Sequence, residues 1–272
     1  RKSNFCTFNV ESSAQKVFLI GDSLMAVLST GLKKMLPKNY SLTTITAGGY
    51  YYFSNLNLID FETKKASKSG FSIKTQNSIK KLLNEQDNAI IIIGGRLPAY
   101  LSSTKFDNKE GGVEAGGGLL PNYLEHVERK YSIKEVIRND IYQLLNAGNK
   151  VILVYPIPET GWHVPIKLFA ERPRNISEFA NYLKNEPITT SYKVYKERTK
   201  SSFDLLDGIN NGNVYRVYPH RLFCDNKIKE RCATHDENAF YYMDQNHPSQ
   251  KGAELINKLI INEIEKIETE GN

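Results

Sequence analysis

Ser23 follows Gly21 and Asp22 at the end of a short apolar run and precedes a stretch whose apolar residues recur at helical spacing. On such a turn from strand to helix, a serine has its hydroxyl at a crevice and its N–H available to an anion. Serine is a poor nucleophile until a base takes its proton, so a histidine and an orienting carboxylate must come from elsewhere. Five histidines compete: His126, His163, His220, His235 and His247. Only His247 has a carboxylate three residues before it in a tight turn entering a helix, Asp244-Gln245-Asn246-His247-Pro248-Ser249. That spacing lets Asp244 accept the imidazole Nδ1–H while Nε2 faces the serine. Taken singly, Gly-Asp-Ser is also an ordinary turn and helix N-cap, and Asp-x-x-His an ordinary helix entrance. Their occurrence together, in this order and near opposite ends of the chain, is specific.

The elements that must position these residues alternate. Residues 17–20 predict a strand and 24–36 a helix that stops at Pro37; 41–46, rich in Thr and Ile, predict a second strand ending before Gly48-Gly49. Residues 78–83 predict a helix, and 89–93 a strand so uniformly apolar that both faces must be covered, as in the middle of a parallel sheet. Ser132 with Glu135 forms a capping box for a helix to Leu145; Gly148 stops it, and 151–155 is the next buried strand. A helix over 192–206, a strand over 214–218 and a closing helix over 250–267 complete the series. The alternation predicts an α/β fold, a three-layer α/β/α sandwich around a central, mostly parallel sheet, in one domain. Two long stretches lack regular patterning: 97–130, with a Gly-rich centre at 111–118, and 156–187. Both leave from carboxyl ends of strands, where open α/β sheets bind ligands.

The 272 residues suit one well-cored unit, and 40% hydrophobic with 24% charged residues excludes disordered and collagen-like classes. No apolar run approaches the roughly 18 residues of a membrane span. The net charge of +6 is spread along the chain without a nucleic-acid-binding signature, so no nucleic-acid partner is expected. No cluster has the spacing of zinc ligands, and no metal site is expected. Cys224 and Cys232, close together in a polar stretch, predict a local disulfide and an oxidising compartment, with two unpaired thiols as the alternative; Cys6 is left over. The chain opens at Arg1 without an initiator Met or signal-peptide pattern and reads as an excised or mature fragment.

With these motifs in view, the sequence resembles the SGNH/GDSL hydrolase superfamily. Val17-Phe18-Leu19-Ile20-Gly21-Asp22-Ser23-Leu24 is similar to its first block and Asp244-x-x-His247 to its last, so the resemblance spans almost the whole chain. It implies a flavodoxin-like SGNH fold, a catalytic triad of Ser23, His247 and Asp244, and an oxyanion hole built from the Ser23 N–H, a second-block glycine N–H and a third-block Asn side chain. Gly48 or Gly49 can supply the glycine. The third block departs from the family's Gly-x-Asn-Asp and reads Gly94-Gly95-Arg96-Leu97. The asparagine is absent, leaving Arg96 to donate in its place or to orient a ligand. One lost donor costs about 3 kcal/mol of transition-state stabilisation, which an active enzyme must compensate.

The Gly-Arg pair, the run Tyr155-Pro156-Ile157-Pro158-Glu159, the paired Cys224 and Cys232, and Tyr241-Tyr242-Met243-Asp244-Gln245-Asn246-His247-Pro248-Ser249 narrow the resemblance. They are similar to SGNH domains fused behind acyltransferase family 3 membrane proteins, which O-acetylate bacterial surface polysaccharides, chiefly lipopolysaccharide O-antigen. The resemblance implies that residues 1–15 are a linker from an upstream transmembrane domain and 16–272 the SGNH catalytic domain. It also implies a periplasmic location tethered to the inner membrane and a polysaccharide acceptor. No cofactor is expected on the domain itself, the acetyl donor being acetyl-CoA used by the membrane domain. The rival readings are a carbohydrate O-acetyl esterase, in which water replaces the sugar, and a non-catalytic glycan-binding domain. Trp162, Tyr100, Tyr123, His163 and Tyr50 to Tyr52 lie in or beside the crevice-facing stretches, where aromatic faces can stack on sugar rings or simply pack the loops.

Overall fold

A computed structural model describes residues 5–8, 14–68, 70–175 and 178–270. In chain order the elements begin with strands β1 (Phe5–Phe8) and β2 (Gln15–Gly21), helix α1 (Ser23–Met35), and strands β3 (Tyr40–Thr46) and β4 (Leu56–Asp60). Helix α2 (Ile73–Asn84), strand β5 (Ile90–Ile93), helix α3 (Leu97–Ser102), strand β6 (Asn122–His126), helix α4 (Ile133–Asn146) and strand β7 (Lys150–Val154) follow. The chain continues through α5 (Val164–Glu171), α6 (Phe179–Asn185), β8 (Thr189–Ser191), α7 (Tyr192–Asp207), β9 (Val214–Val217), α8 (His220–Phe223), β10 (Arg231–Ala233) and α9 (Gln250–Glu270).

Among the described residues the central sheet has six strands in the order β1-β3-β2-β5-β7-β9, parallel except for β1, which pairs antiparallel with β3. Alternate side chains divide between two cores. Val17 and Leu19 of β2, with Ile90, Ile92, Ile152 and Val154, pack against α1 and α9; Phe18 and Ile20, with Ile91, Ile93, Val151 and Leu153, pack against α2 and α4. This is the three-layer α/β/α sandwich, and burial on both faces explains the unbroken apolar runs of β5 and β7. The winding reverses at β2, with β3 on one side and β5 on the other, so the crevice for a ligand opens at the carboxyl end of β2.

Departures from the expected elements have local causes. Residues 5–8, inside the segment read as a linker, form the edge strand β1; residues 1–4 and 9–13 lie outside the described residues. Helix α2 starts five residues before the expected 78, at Ile73, capped by the Ser72 hydroxyl. Its first turn hides from hydrophobic patterning because the buried residue there is Gln76, whose amide donates to the Leu56 and Phe71 carbonyls. Within 97–130 the chain forms α3 and β6, and β6 pairs with β4 in a separate two-stranded ribbon. Within 156–187 it forms α5 and α6. These elements are short, and the ribbon's strands alternate too weakly to read as strands.

Candidate active site

The end of β2 is shaped by glycine. Gly21 has φ +152°, and a Cβ there would lie 2.1 Å from the Gly94 carbonyl oxygen, so a larger residue would push β2 and β5 apart. Asp22 caps α1, its Oδ1 accepting from the Leu24 N–H at 2.9 Å, and Ser23 is the first helical residue. The Ser23 N–H is therefore one of the unpaired donors of a helix N-terminus, where negative charge is favoured.

The histidine arrives from the other end of the chain. Asp244 Oδ1 accepts from the N–H groups of Asn246 and His247, each at 2.8 Å, which closes the turn and points the His247 ring back at Asp244. His247 Nδ1 then lies 2.7 Å from Asp244 Oδ2, and His247 Nε2 lies 2.8 Å from Ser23 Oγ, 224 residues away in sequence. The turn is pinned by Thr160, whose N–H donates to the Gln245 carbonyl at 2.9 Å. Behind it α9 docks on α1: Asn257 Nδ2 donates to the Leu28 carbonyl at 3.0 Å, close to Gly31. Hydrogen bonds from His247 and from the turn's amides hold the Asp244 carboxyl down at about 2 against the effect of burial. The Asp244 hydrogen bond raises the His247 imidazolium above its ordinary value. A serine, a base and an orienter are thus joined in one hydrogen-bonded relay, which can move a proton off the serine and return it to a leaving group.

The anion side is built differently. Ala47 to Tyr50 form a turn closed by the Tyr50 N–H on the Ala47 carbonyl at 3.1 Å, with Gly49 at the third position and φ +76°, the conformation a type II turn requires there. Gly49 lines the cleft with Ser23, while Gly48 stays out of its lining. Arg96 reaches the cleft wall, but its side chain is tied down. Nε donates to Glu159 Oε1 at 2.7 Å, Nη1 to Glu114 Oε1 at 2.7 Å, and Nη2 to Glu114 Oε2 at 2.6 Å and Glu159 Oε1 at 2.5 Å. Four of the five guanidinium N–H groups are engaged, leaving one Nη1 proton for any substrate oxygen. Arg96 is thus first a strut of the wall, with that one proton left over for a ligand. Burial opposes its charge, but the two glutamates outweigh that and raise its pKa. Glu159 also accepts from Arg198 Nε at 3.0 Å, and Arg198 continues to the Thr104 carbonyl at 2.8 Å, binding α7 to the wall.

The model of the SGNH domain fused to AT3 domains matches residues 1–262. The chain belongs to this SGNH family. Among solved structures, the periplasmic domain of a Salmonella ser. Paratyphi A lipopolysaccharide acetyltransferase shares its fold at TM-score 0.53 and 14% identity, covering 94% of this chain and 85% of that one. The C-terminal catalytic domain of a Streptococcus pneumoniae peptidoglycan O-acetyltransferase aligns at TM-score 0.38 and 11% identity over 95% and 97% of the two chains. A GDSL-like lipase from Bacteroides thetaiotaomicron aligns at 0.41 and 13% over 96% and 92%. No curated protein matches the chain. In this family the SGNH domain is joined to AT3 domains. Among the described residues, no helix is long and apolar enough to cross a membrane.

The SGNH domain places its remaining expected residues unevenly. Cys224 and Cys232 are joined in a disulfide, and Cys6 is an exposed free thiol. Tyr50, Tyr51 and Tyr52 are at most 1% exposed and belong to the core, which removes them as sugar platforms. Trp162 packs on the other core beneath Lys167 Nζ, 4.6 Å from its ring, and His163 is the exposed residue before α5. Tyr100 and Tyr123 do line the cleft. The sequence reading found no signal of a role for Glu114 or Arg198, although Glu114 is the acidic residue within the Gly-rich centre, and Glu159 entered it only as the end of the Tyr155–Glu159 run. It also missed the part played by Asp22. Asp22 is buried, and its Oδ2 accepts from the Arg96 N–H at 2.7 Å and the Tyr100 hydroxyl at 2.6 Å. Burial pushes its carboxyl up, and these bonds oppose the rise.

Proposed function

We propose that the domain transfers an acetyl group through Ser23 to a hydroxyl of a bacterial surface polysaccharide, with lipopolysaccharide O-antigen as the acceptor. The observation that carries this reading is the relay of Asp244, His247 and Ser23 in a domain whose family is fused to AT3 domains. In the first step His247 Nε2 takes the Ser23 proton as Oγ attacks the acetyl carbonyl; the donor's leaving group departs with that proton, and Ser23 holds an acetyl ester. In the second step His247 takes the proton of a sugar hydroxyl, whose oxygen attacks the ester; Ser23 Oγ leaves and regains the proton, and the sugar is acetylated. Asp244 fixes the imidazole tautomer and stabilises the imidazolium in both steps. The Ser23 and Gly49 amides, with the remaining Arg96 proton, face the developing oxyanion. The fused membrane domain supplies the acetyl group from acetyl-CoA, and the SGNH domain works on the periplasmic side, in keeping with its disulfide.

The test incubates the wild type and Ser23→Ala with a chromogenic acetyl ester, with and without purified O-polysaccharide, following ester cleavage and glycan mass. Acetylated glycan that disappears with Ser23→Ala is the expected result. Rapid Ser23-dependent cleavage that leaves the glycan unmodified would overturn transfer in favour of an esterase.

A further inference from the structure

Beside Ser23 lies a cleft of about 200 Å³ whose far wall comes from the ribbon of β4 and β6 rather than from the central sheet. Leu58, Leu120 and Leu124 make that wall largely apolar, and Tyr123 adds an aromatic ring held by Phe61, with centroids 4.8 Å apart. One polar side chain stands out. Asn122, the first residue of β6, lines the cleft, and its Oδ1 is buried without a hydrogen-bond partner among the described residues. Leaving such a carbonyl unpaired costs about 1–3 kcal/mol, so buried polar atoms nearly always have partners, and an exception inside a cleft points to a ligand that supplies one.

The chemistry of the carboxamide narrows that ligand. It has a donor end and an acceptor end, so its full complement needs a partner that both gives and takes hydrogen bonds. An acetyl group offers only an acceptor and a methyl, and alone would leave most of the cleft empty. A sugar ring offers hydroxyls that do both, along with an apolar C–H face suited to Tyr123 and Leu58. Resting on the transferase reading above, we propose that the ribbon cleft is the acceptor subsite and that Asn122 determines its specificity by pairing with hydroxyls of the acceptor sugar. Because a site built around such a pair rejects analogues that cannot make it, this single side chain would discriminate more strongly than the apolar wall.

Binding tests the subsite without relying on turnover. Methyl α-D-mannopyranoside, methyl β-D-galactopyranoside and methyl α-L-rhamnopyranoside would be titrated into the domain by ligand-observed NMR, each beside its per-O-methylated counterpart, which keeps the ring but has no hydroxyl donor. At least one glycoside should bind and its methylated form should not. Asn122→Ala should weaken binding about tenfold or more, and Asn122→Asp, which keeps the shape but loses the donor, should weaken it too; thermal melts confirm that each variant is folded. Equal binding by the folded variants, equal binding of the methylated sugars, or no binding of any glycoside by the wild type would overturn the proposal. Ser23-dependent ester cleavage, measured in parallel without sugar, reports on the transferase reading separately. A domain that binds glycosides through Asn122 but has no reactive Ser23 would sink that reading alone.

Discussion

The two sides of the Ser23 crevice are held by opposite means. On the relay side, Ser23 opens helix α1 and His247 lies in the turn that leads into α9, and these helices are packed on each other and on the sheet. On the wall side, residues from α3, the Gly-rich stretch, the segment after β7 and α7 meet at a cluster of mostly buried charges, with Arg96 at its centre. Packing fixes Ser23 and His247, whereas ion pairs fix the wall around Arg96. The Asp22 carboxylate joins the sides, because it caps α1 and holds the Arg96 N–H.

The largest effects belong to the relay. Ser23→Ala should reduce acyl transfer by about 10⁴-fold or more while leaving the melting temperature close to that of the wild type, as measured by initial rates and calorimetry. Residual activity within tenfold of wild type would remove Ser23 as the nucleophile. Asp244→Asn should approach a 10⁴-fold loss, because the amide no longer selects the imidazole tautomer. The pH profile sharpens this. His247 must be neutral to accept a proton and its pKa is raised, so the wild-type rate should climb through a midpoint above about 6.5, and Asp244→Asn should move that midpoint down. An unmoved midpoint would show that another group limits the rate.

On the wall, stability should respond first. Arg96→Met leaves Glu114 and Glu159 buried with less compensation, and should cost about 3–5 kcal/mol in urea unfolding. Adding Glu114→Gln should recover part of that loss, since it removes one of the stranded charges. An Arg96→Met variant that is stable but nearly inactive would show that Arg96 serves the substrate rather than the wall. Replacing Cys224 and Cys232 by Ser opens a link between residues eight apart and should cost about 2–3 kcal/mol, with Ser23-dependent chemistry retained.

The difference between the sides also governs what the sequence discloses. The relay is legible because each half is local, Asp244 reaching His247 within one turn and Ser23 sitting beside its own cap, although the two halves meet across 224 residues. The flanking elements follow strong patterns, such as the four isoleucines of β5 and the Ser132–Glu135 capping box. The wall is not legible, because its partners are far apart in sequence: Arg96 meets Glu159 across 63 residues, and Glu159 meets Arg198 across 39. Nothing in the spacing of single charges predicts such a meeting. The three tyrosines from Tyr50 to Tyr52 mislead for the opposite reason. Their adjacency suggests a surface platform, yet the turn at Gly49 directs the chain inward and all three rings enter the core.

The smallest effect tests the joint between the sides. Asp22 and Asp244 both stand beside the Ser23–His247 pair, yet burial raises the Asp22 carboxyl while hydrogen bonds lower that of Asp244. A carboxyl raised by folding contributes stability below its unfolded value, near 3.9, and loses it as the pH rises through the folded value. Asp244 does the reverse, contributing above about 4 and losing that contribution as the pH falls toward about 2. The Tyr100 hydroxyl opposes the Asp22 rise, because its donated bond favours the carboxylate over the neutral acid. Tyr100→Phe should therefore raise the Asp22 carboxyl further and cost about 1.5 kcal/mol at pH 7, a typical value for a hydrogen bond to a charged group. Well below about pH 3.9, where an Asp22 carboxyl raised by folding is protonated in both folded and unfolded chains, the cost should shrink. Urea midpoints for the wild type and Tyr100→Phe at the two pH values measure the difference directly. An equal loss at both would mean that Tyr100 serves the wall through its ring, and that the buried Asp22 carboxylate does not couple the wall to the relay.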